Sequence, residues 1–304
     1  MIETLEQMYI SQLPNHRGKV SDYCSVLAES DPRQFAISLY DMTGAGHLYE
    51  FGDYEKRFSL QSISKVFSLL MAFKMVGLEG VYEKIGREPS GDSFGSIRLT
   101  KDSLPPNPLV NSGAITVCGI IADYYGIVAE DKLEAVFSDA AGEPLSIDME
   151  VHEAELNAVH RNRAIAHLLK HLGLITDIER ALEVYSYACA LNVTSGNLAI
   201  MAATLANKGI NPVTNVLVFE DTHHIQHALS HMLVSGMYGE SGQWVVDVGC
   251  PAKSGVSGGL LLSVPNRYGI GIFSPRLDKI GNSVRGIEVA NLMDDALNLH
   301  VVPL

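Results

Sequence analysis

The sequence predicts an α+β fold: an antiparallel sheet built from both ends of the chain, flanked by helices, with an all-helical lobe inserted between its halves. Three observations carry that expectation. Strand-like runs occupy residues 35–40 and 47–51 near the start, and 244–248, 258–264 and 268–273 near the end. Between them, from about residue 110 to 207, apolar residues recur at helical spacing. The α and β parts are thus segregated along the chain, which is not the order of a doubly wound βαβ repeat. No fixed-period repeat, low-complexity stretch or charge block marks a linker, so we expect one unit over 1–304, with a sheet lobe of about 1–75 plus 220–304 and a helical lobe of about 76–219.

The elements follow in order. A helical segment at 2–13 precedes the first two strands, and Asp41-Met42-Thr43-Gly44-Ala45-Gly46 between those strands has the glycines of a hairpin turn. The run from 62 to 76 is apolar on nearly every face and stops at Gly77, which reads as a helix buried all round and ended by a glycine. Helices are expected at 110–125, 132–141, 164–172, 178–190 and 195–207. Thr176 or Asp177 and Thr194 or Ser195 serve as N-caps, with Gly173 and Gly209 as stops. Pro265-Asn266-Arg267 turns the chain between the last two strands, and a helix at 283–300 closes it.

Composition narrows the class. With 304 residues, 47% hydrophobic and 19% charged, the chain is long enough for a large core and is not that of a disordered protein. A net charge of −13 argues against nucleic acid or an anionic membrane as partner. Cys24, Cys118, Cys189 and Cys250 are far apart, fit no metal ribbon or redox pair, and read as free thiols in a reducing compartment. The opening Met1-Ile2-Glu3-Thr4-Leu5-Glu6 is acidic and amphipathic with no export signal, and no uninterrupted apolar run has the length of a membrane span. A cytoplasmic location is expected.

Chemistry enters at Ser62-Ile63-Ser64-Lys65, a Ser-x-x-Lys at the start of the buried helix. Positions i and i+3 share a helix face, so hydroxyl and amine can meet. A serine hydroxyl needs a neighbouring base, and a lysine desolvated by Val66, Phe67 and Leu69 can have its amine pKa lowered enough to serve. The second element is Lys253-Ser254-Gly255, opening a strand-like run. Lys-Ser/Thr-Gly on a strand edge is the partner of Ser-x-x-Lys in active-site-serine acyl transfer enzymes. Lys253 supplies positive charge, Gly255 lets the backbone approach a ligand, and the next N–H can join that of Ser62 in an oxyanion hole. The Ser-Asp-Asn expected between these motifs in a class A β-lactamase is missing, and Ser195-Gly196-Asn197 reads as a helix start.

Other phrases stand there instead. They are Ser59-Leu60-Gln61-Ser62-Ile63-Ser64-Lys65, Asn107-Pro108-Leu109-Val110-Asn111-Ser112-Gly113-Ala114-Ile115, Ser235-Gly236-Met237-Tyr238-Gly239-Glu240-Ser241-Gly242, Pro251-Ala252-Lys253-Ser254-Gly255-Val256-Ser257-Gly258-Gly259 and Ser274-Pro275-Arg276-Leu277-Asp278-Lys279-Ile280-Gly281-Asn282-Ser283-Val284. In this order they resemble the serine-dependent glutaminases, a family of β-lactamase/DD-peptidase-like fold that hydrolyses L-glutamine to L-glutamate and ammonia. The resemblance runs from about residue 19 to residue 300.

It implies Ser62 as nucleophile, Lys65 as its neighbour and base, Tyr238 as the family's catalytic tyrosine, and Val256 as the second oxyanion N–H. Tyr23, Gln61, Asn111, Glu155, Asn162 and Tyr185 match the family's substrate contacts, with Lys253, Ser254 and Gly255 in support. Glutamine is a zwitterion with a short amide arm, so its pocket needs an acceptor for the ammonium and donors for the carboxylate. Glu155 is the candidate acceptor, although Glu153 stands two residues away, and the asparagines and Tyr185 are donors. Lys65 and Tyr238 both remain open as the base for Ser62. The resemblance implies no metal or organic cofactor, and a homo-oligomer, commonly a tetramer. Rival readings are a penicillin-recognising hydrolase of the same fold and a catalytically silent amino-acid sensor. His223, His227 and His231 recur at i, i+4 and i+8 as in a zinc site, but an exposed polar helix face is the plainer reading.

Overall fold

A computed structural model describes residues 1–91, 95–158 and 160–302. The fold is α+β. Its main sheet has five antiparallel strands in the order His47–Gly52, Ala36–Asp41, Tyr268–Phe273, Gly259–Val264, Ala252–Ser254. Both ends of the chain therefore build it, with the first and last segments meeting at the pairing of Leu39 with Ile270.

Side chains on the sheet alternate between two partners, as the pleat requires. Ile37, Leu39, Leu260, Leu262, Ile270 and Ile272 pack with Leu5 and Met8 of the helix Ile2–Gln12 and with Val289 and Met293 of the helix Val284–Leu297. The other face meets the helix Ser195–Ala206, and it meets it closely. A Cβ added at Gly269 would lie 2.1 Å from the Ala199 carbonyl oxygen, and one at Gly271 2.1 Å from that of Ser195. No side chain larger than hydrogen fits between that helix and the central strand. Arg285, almost fully buried, locks the terminal helices to the rest by donating to the carbonyls of Leu13, Asn15 and Arg33.

The inserted part is helical: Asn111–Tyr125, Ala129–Ala141, Met149–Ala158, His160–His171, Ile178–Ala190 and Ser195–Ala206, with a small three-stranded sheet of Phe58–Ser59, Leu191–Val193 and Ser146–Ile147. The expected caps are in place. Asp177 accepts from the Arg180 N–H, and Thr194 and Asn197 form a reciprocal capping box. The stretch Asn111–Ala141 is long and apolar enough to cross a membrane by composition, but most of it is buried against the rest of the protein, as a core helix is. Ser64–Tyr82 runs through the centre of the larger apolar cluster and breaks at Gly77, at φ 71°, before one further turn to Tyr82.

One strand expectation is corrected. Residues 244–247 lie in the helix Ser241–Asp247, with Val248 as its C-cap, rather than in a strand. A strand would put Trp244, Val246 and Val248 on one face, yet Trp244 and Val248 are buried while Val246 is 77% exposed. Spacing i, i+4 to the core is helical, and the adjacent valines imitated a strand. The helix Met149–Ala158 carries too little apolar periodicity to announce itself, and the helical spacing of the histidines lies on the helix Thr222–Ser235.

Candidate active site

Ser62 sits on a single 3₁₀ turn, Gln61–Ile63, entering the long central helix, one step before the regular helix the sequence suggested. The Leu60 N–H bonds to the Leu191 carbonyl and Ser64 Oγ to the Gln61 carbonyl, which anchors the turn at both ends. Gln61 holds φ at +52°, in the left-handed region that a non-glycine residue rarely occupies. Tyr238, on its own 3₁₀ turn after the helix Thr222–Ser235, holds φ at +54°. Such strain costs about 1 kcal/mol or more at each residue and persists only where the surroundings enforce it.

The strand Ala252–Ser254 brings its end against the Ser62 turn. A Cβ on Gly255 would lie 3.0 Å from the Leu60 carbonyl oxygen and 3.4 Å from Ile63, so glycine permits this approach. A turn closed by Gly255 N–H to Gly259 carbonyl and Gly258 N–H to Gly255 carbonyl carries Val256 at its tip. Lys253 and Ser254 are fully buried, and Lys253 Nζ donates to the Ser254 carbonyl at 2.6 Å while lying 4.3 Å from the centre of the Tyr238 ring. Burial, and then the charge of Lys65, hold the Lys253 amine well below the usual lysine range.

Lys65 is 2% exposed, and burial lowers its pKa to about 8. Its Nζ donates to Asn111 Oδ1 at 2.6 Å and to the Leu109 carbonyl at 3.3 Å. Asn111 thus turns its oxygen to Lys65 and its nitrogen away, the orientation an ammonium requires. That nitrogen donates to Asn162 Oδ1 at 2.9 Å, and Asn162 Nδ2 donates to the Tyr23 hydroxyl at 3.2 Å. The four residues form one directed chain, Lys65 to Asn111 to Asn162 to Tyr23. Tyr185, buried, lies beneath Lys65 at 6.0 Å from its Nζ. The Tyr238 hydroxyl donates to the Ser254 carbonyl at 3.0 Å, burial raises its pKa, and a contact with the Ser62 hydroxyl works against that rise.

Burial resolves the choice between two acids. Glu153 is exposed, whereas Glu155 is 5% exposed. Neither oxygen of the Glu155 carboxylate has a hydrogen-bond partner among the described residues, although Gln61 and Tyr23 stand near enough to favour its ionised form. Burial raises its pKa to about 7, against the opposing pull of Lys65. An acid in that condition is costly in the empty protein and is matched to an incoming cation.

The structure thus brings the nucleophile, lysine, tyrosine, asparagine and Glu155 candidates together around one largely buried place, with Tyr23 and Tyr238 half-buried, and leaves Glu153 and the three histidines outside it. It adds Ser59, which is buried and takes the Gln61 amide N–H at 3.2 Å, and the Leu109 carbonyl under Lys65. Both stand inside the quoted phrases, but nothing in residue type marks a buried serine or a backbone carbonyl. The histidines serve otherwise. Tyr82 places its hydroxyl 2.8 Å from His227 Nδ1 and 3.0 Å from His231 Nε2, while His223 is exposed. Helical spacing aligned two imidazoles, and a phenol fills the point where they converge.

Comparison with known proteins agrees with this geometry. The glutaminase family model matches residues 18–302. Glutaminase 1 of Bradyrhizobium diazoefficiens is 46% identical over 286 residues, which is 94% of this chain and 46% of that longer protein. The glutaminase of Trichormus variabilis is 43% identical over 289 residues, 93% of this chain and 85% of the relative. The chain therefore spans about half the length of the Bradyrhizobium protein and most of the Trichormus one. Among solved structures, a probable glutaminase, YbaS, superposes with a TM-score of 0.93 at 35% identity, covering 99% of this chain and 98% of that one. Mglu in its glutamate form gives 0.92 at 35% identity over 100% of this chain and 70% of its own. On a family match across nearly all of its length, this chain belongs to the glutaminase family.

Proposed function

We propose that the chain hydrolyses the side-chain amide of L-glutamine to L-glutamate and ammonia through a glutamyl ester on Ser62. The observation that carries the reading is the buried Glu155 carboxylate, which has no hydrogen-bond partner among the described residues and lies within electrostatic reach of Lys65, at the head of the Lys65–Asn111–Asn162–Tyr23 chain. A substrate with an ammonium and an amide arm satisfies both ends, and amides lacking the α-groups leave buried polar atoms unpaired.

Division of labour follows from donor counting. A neutral lysine amine has two protons and one lone pair. With its protons on Asn111 and Leu109, a neutral Lys65 keeps its lone pair to take a proton. Tyr238 has one proton, given to Ser254, and its raised pKa keeps it a phenol. Lys65 is therefore the base and Tyr238 a relay. Ser62 Oγ attacks the amide carbon as its proton passes to Lys65. The oxyanion collects on the N–H groups of Ser62 and Val256. The protonated amine then returns a proton, through Tyr238, to the departing nitrogen, and ammonia leaves. Water attacks the ester with Lys65 again as base, releasing glutamate and restoring the Ser62 hydroxyl.

Ammonia release from L-glutamine by wild type and Ser62→Ala, with L-asparagine alongside, tests the reading. Equal release by both proteins removes the enzyme, and equal turnover of asparagine removes the substrate. Four buried cysteines without disulfides support a cytoplasmic location, checked by fractionation. A homotetramer is the assembly we propose, and light scattering on the eluted protein decides it.

A further inference from the structure

A cleft of about 750 Å³ opens behind the Tyr238 turn, walled by that turn, the Arg276–Leu277 segment and the helix Val284–Leu297. Its floor is apolar, made by Leu277, Val284 and Ile287. Its charges are sorted by whether they are already paired. Arg17 is bonded to Glu288, whereas Lys19 and Lys279 form no ion pair among the described residues. On the acidic side, Asp278 lines the cleft and its Oδ1 accepts the N–H groups of Ile280, Gly281 and Asn282. Glu240 Oε2 takes the Asn282 amide at 3.2 Å, and the Glu240 carboxyl lies within hydrogen-bond reach of Asp278.

We infer that this cleft binds an apolar zwitterion of dipeptide size, its ammonium between Glu240 and Asp278, its carboxylate on Lys19 and Lys279, and its side chains on Leu277 and Ile287. Volume sets the size, because pockets of roughly 300–1,000 Å³ suit ligands well above a single amino acid. Pairing sets the chemistry. Burial and the neighbouring Asp278 charge both disfavour the ionised form of Glu240, and an ammonium relieves the second of these.

Occupancy reaches the catalytic tyrosine through Asn282. This residue is fully buried, its Nδ2 spans Glu240 and the Met237 carbonyl, and its Oδ1 has no partner among the described residues. Met237 and Tyr238 are also joined through Ser241 Oγ, which accepts from the Met237 N–H and donates to the Tyr238 carbonyl. A ligand that draws Glu240 toward the cleft loosens one tie on the strained Tyr238 turn and tightens none.

Calorimetric titration with L-leucyl-L-leucine tests the site, with N-acetyl-leucyl-leucine lacking the ammonium and leucyl-leucinamide lacking the carboxylate. Wild type binds the free dipeptide, each capped compound binds about tenfold more weakly, and Glu240→Gln and Lys19→Ala/Lys279→Ala each lose about tenfold. Both lysines are exposed, so the double variant folds and retains its basal ammonia release. No binding, or equal binding by the capped compounds or by the lysine variant, overturns the site. Dipeptide also shifts kcat for glutamine by about twofold in wild type and not in the lysine variant; binding with kcat unchanged overturns the link to Tyr238. The titration needs no turnover, so a protein that binds dipeptide yet releases no ammonia refutes the proposed function alone.

Discussion

Replacing Glu155 by glutamine should abolish function and stabilise the protein, a pairing that separates a substrate-binding acid from a structural one. The Glu155 pKa is raised from the ordinary 4.5 to about 7, with burial as the first cause. Folding therefore favours the protonated form. The wild-type protein is relatively most stable below pH 4.5 and loses that advantage as pH rises to about 7, where the folded state must ionise a buried acid. At about 1.4 kcal/mol per pH unit, the gap between the two values is a penalty of about 3 kcal/mol at pH 8, falling to about 1 kcal/mol at pH 5. Glutamine at this position keeps the shape and carries no charge, so Glu155→Gln should melt roughly 6 °C higher at pH 8 and much closer to wild type at pH 5. The same change removes a charge-assisted bond to the substrate ammonium, and kcat/KM for glutamine should fall about 100-fold or more. Calorimetric melting at the two pH values and ammonia release give both readouts. A lower melting temperature at pH 8, or undiminished turnover, would refute the argument that this carboxylate waits for the substrate.

Three further outcomes are expected. The kcat/KM for glutamine should climb with pH through 7 to 8, because Glu155 must be ionised and Lys65 neutral; a profile flat from about pH 6 to 9 counts against both assignments. Lys65→Arg should be as inactive as Lys65→Ala, since a guanidinium cannot become the neutral base, and activity retained by arginine would leave only a positioning charge. Tyr238→Phe should lower kcat about 100- to 10,000-fold with an unchanged urea midpoint, because Lys253 still satisfies the Ser254 carbonyl; a large shift in that midpoint would make the hydroxyl structural.

The sheet was legible because its strands are short runs of aromatic and branched residues at both ends of the chain, and their pairing follows once the helices are set aside. The run at 244–248 misled because two adjacent valines look like a strand until their exposure is known. Nothing local distinguishes Glu155 from Glu153, since which of them is buried depends on what the helix Met149–Ala158 packs against. The positive φ of Gln61 and Tyr238 is hidden for a related reason. Neither residue type prefers that conformation, so it is imposed by the tertiary structure and leaves no mark in composition. The histidine spacing shows the opposite failure, a pattern that was real on the helix and whose meaning depended on Tyr82, about 145 residues away in the chain.

The costly features of the site share a physical character that explains why they coincide. A left-handed glutamine, a left-handed tyrosine, two desolvated lysines and a buried acid each oppose folding. All five meet around one serine. Scattered at random through a core, such costs would have no common function, and repacking with apolar residues would remove them one by one. Gathered here they are interdependent: Lys65 is a usable base because it is desolvated, and the desolvation that lowers its pKa also raises that of Glu155. The substrate ammonium offsets the second cost on binding, and that relief is available only to a ligand carrying a positive charge beside its amide arm. Under the proposed function, selectivity for glutamine over a plain amide follows from the same burial that makes the base, and a variant that relieves the strain without the substrate should gain stability at the expense of turnover.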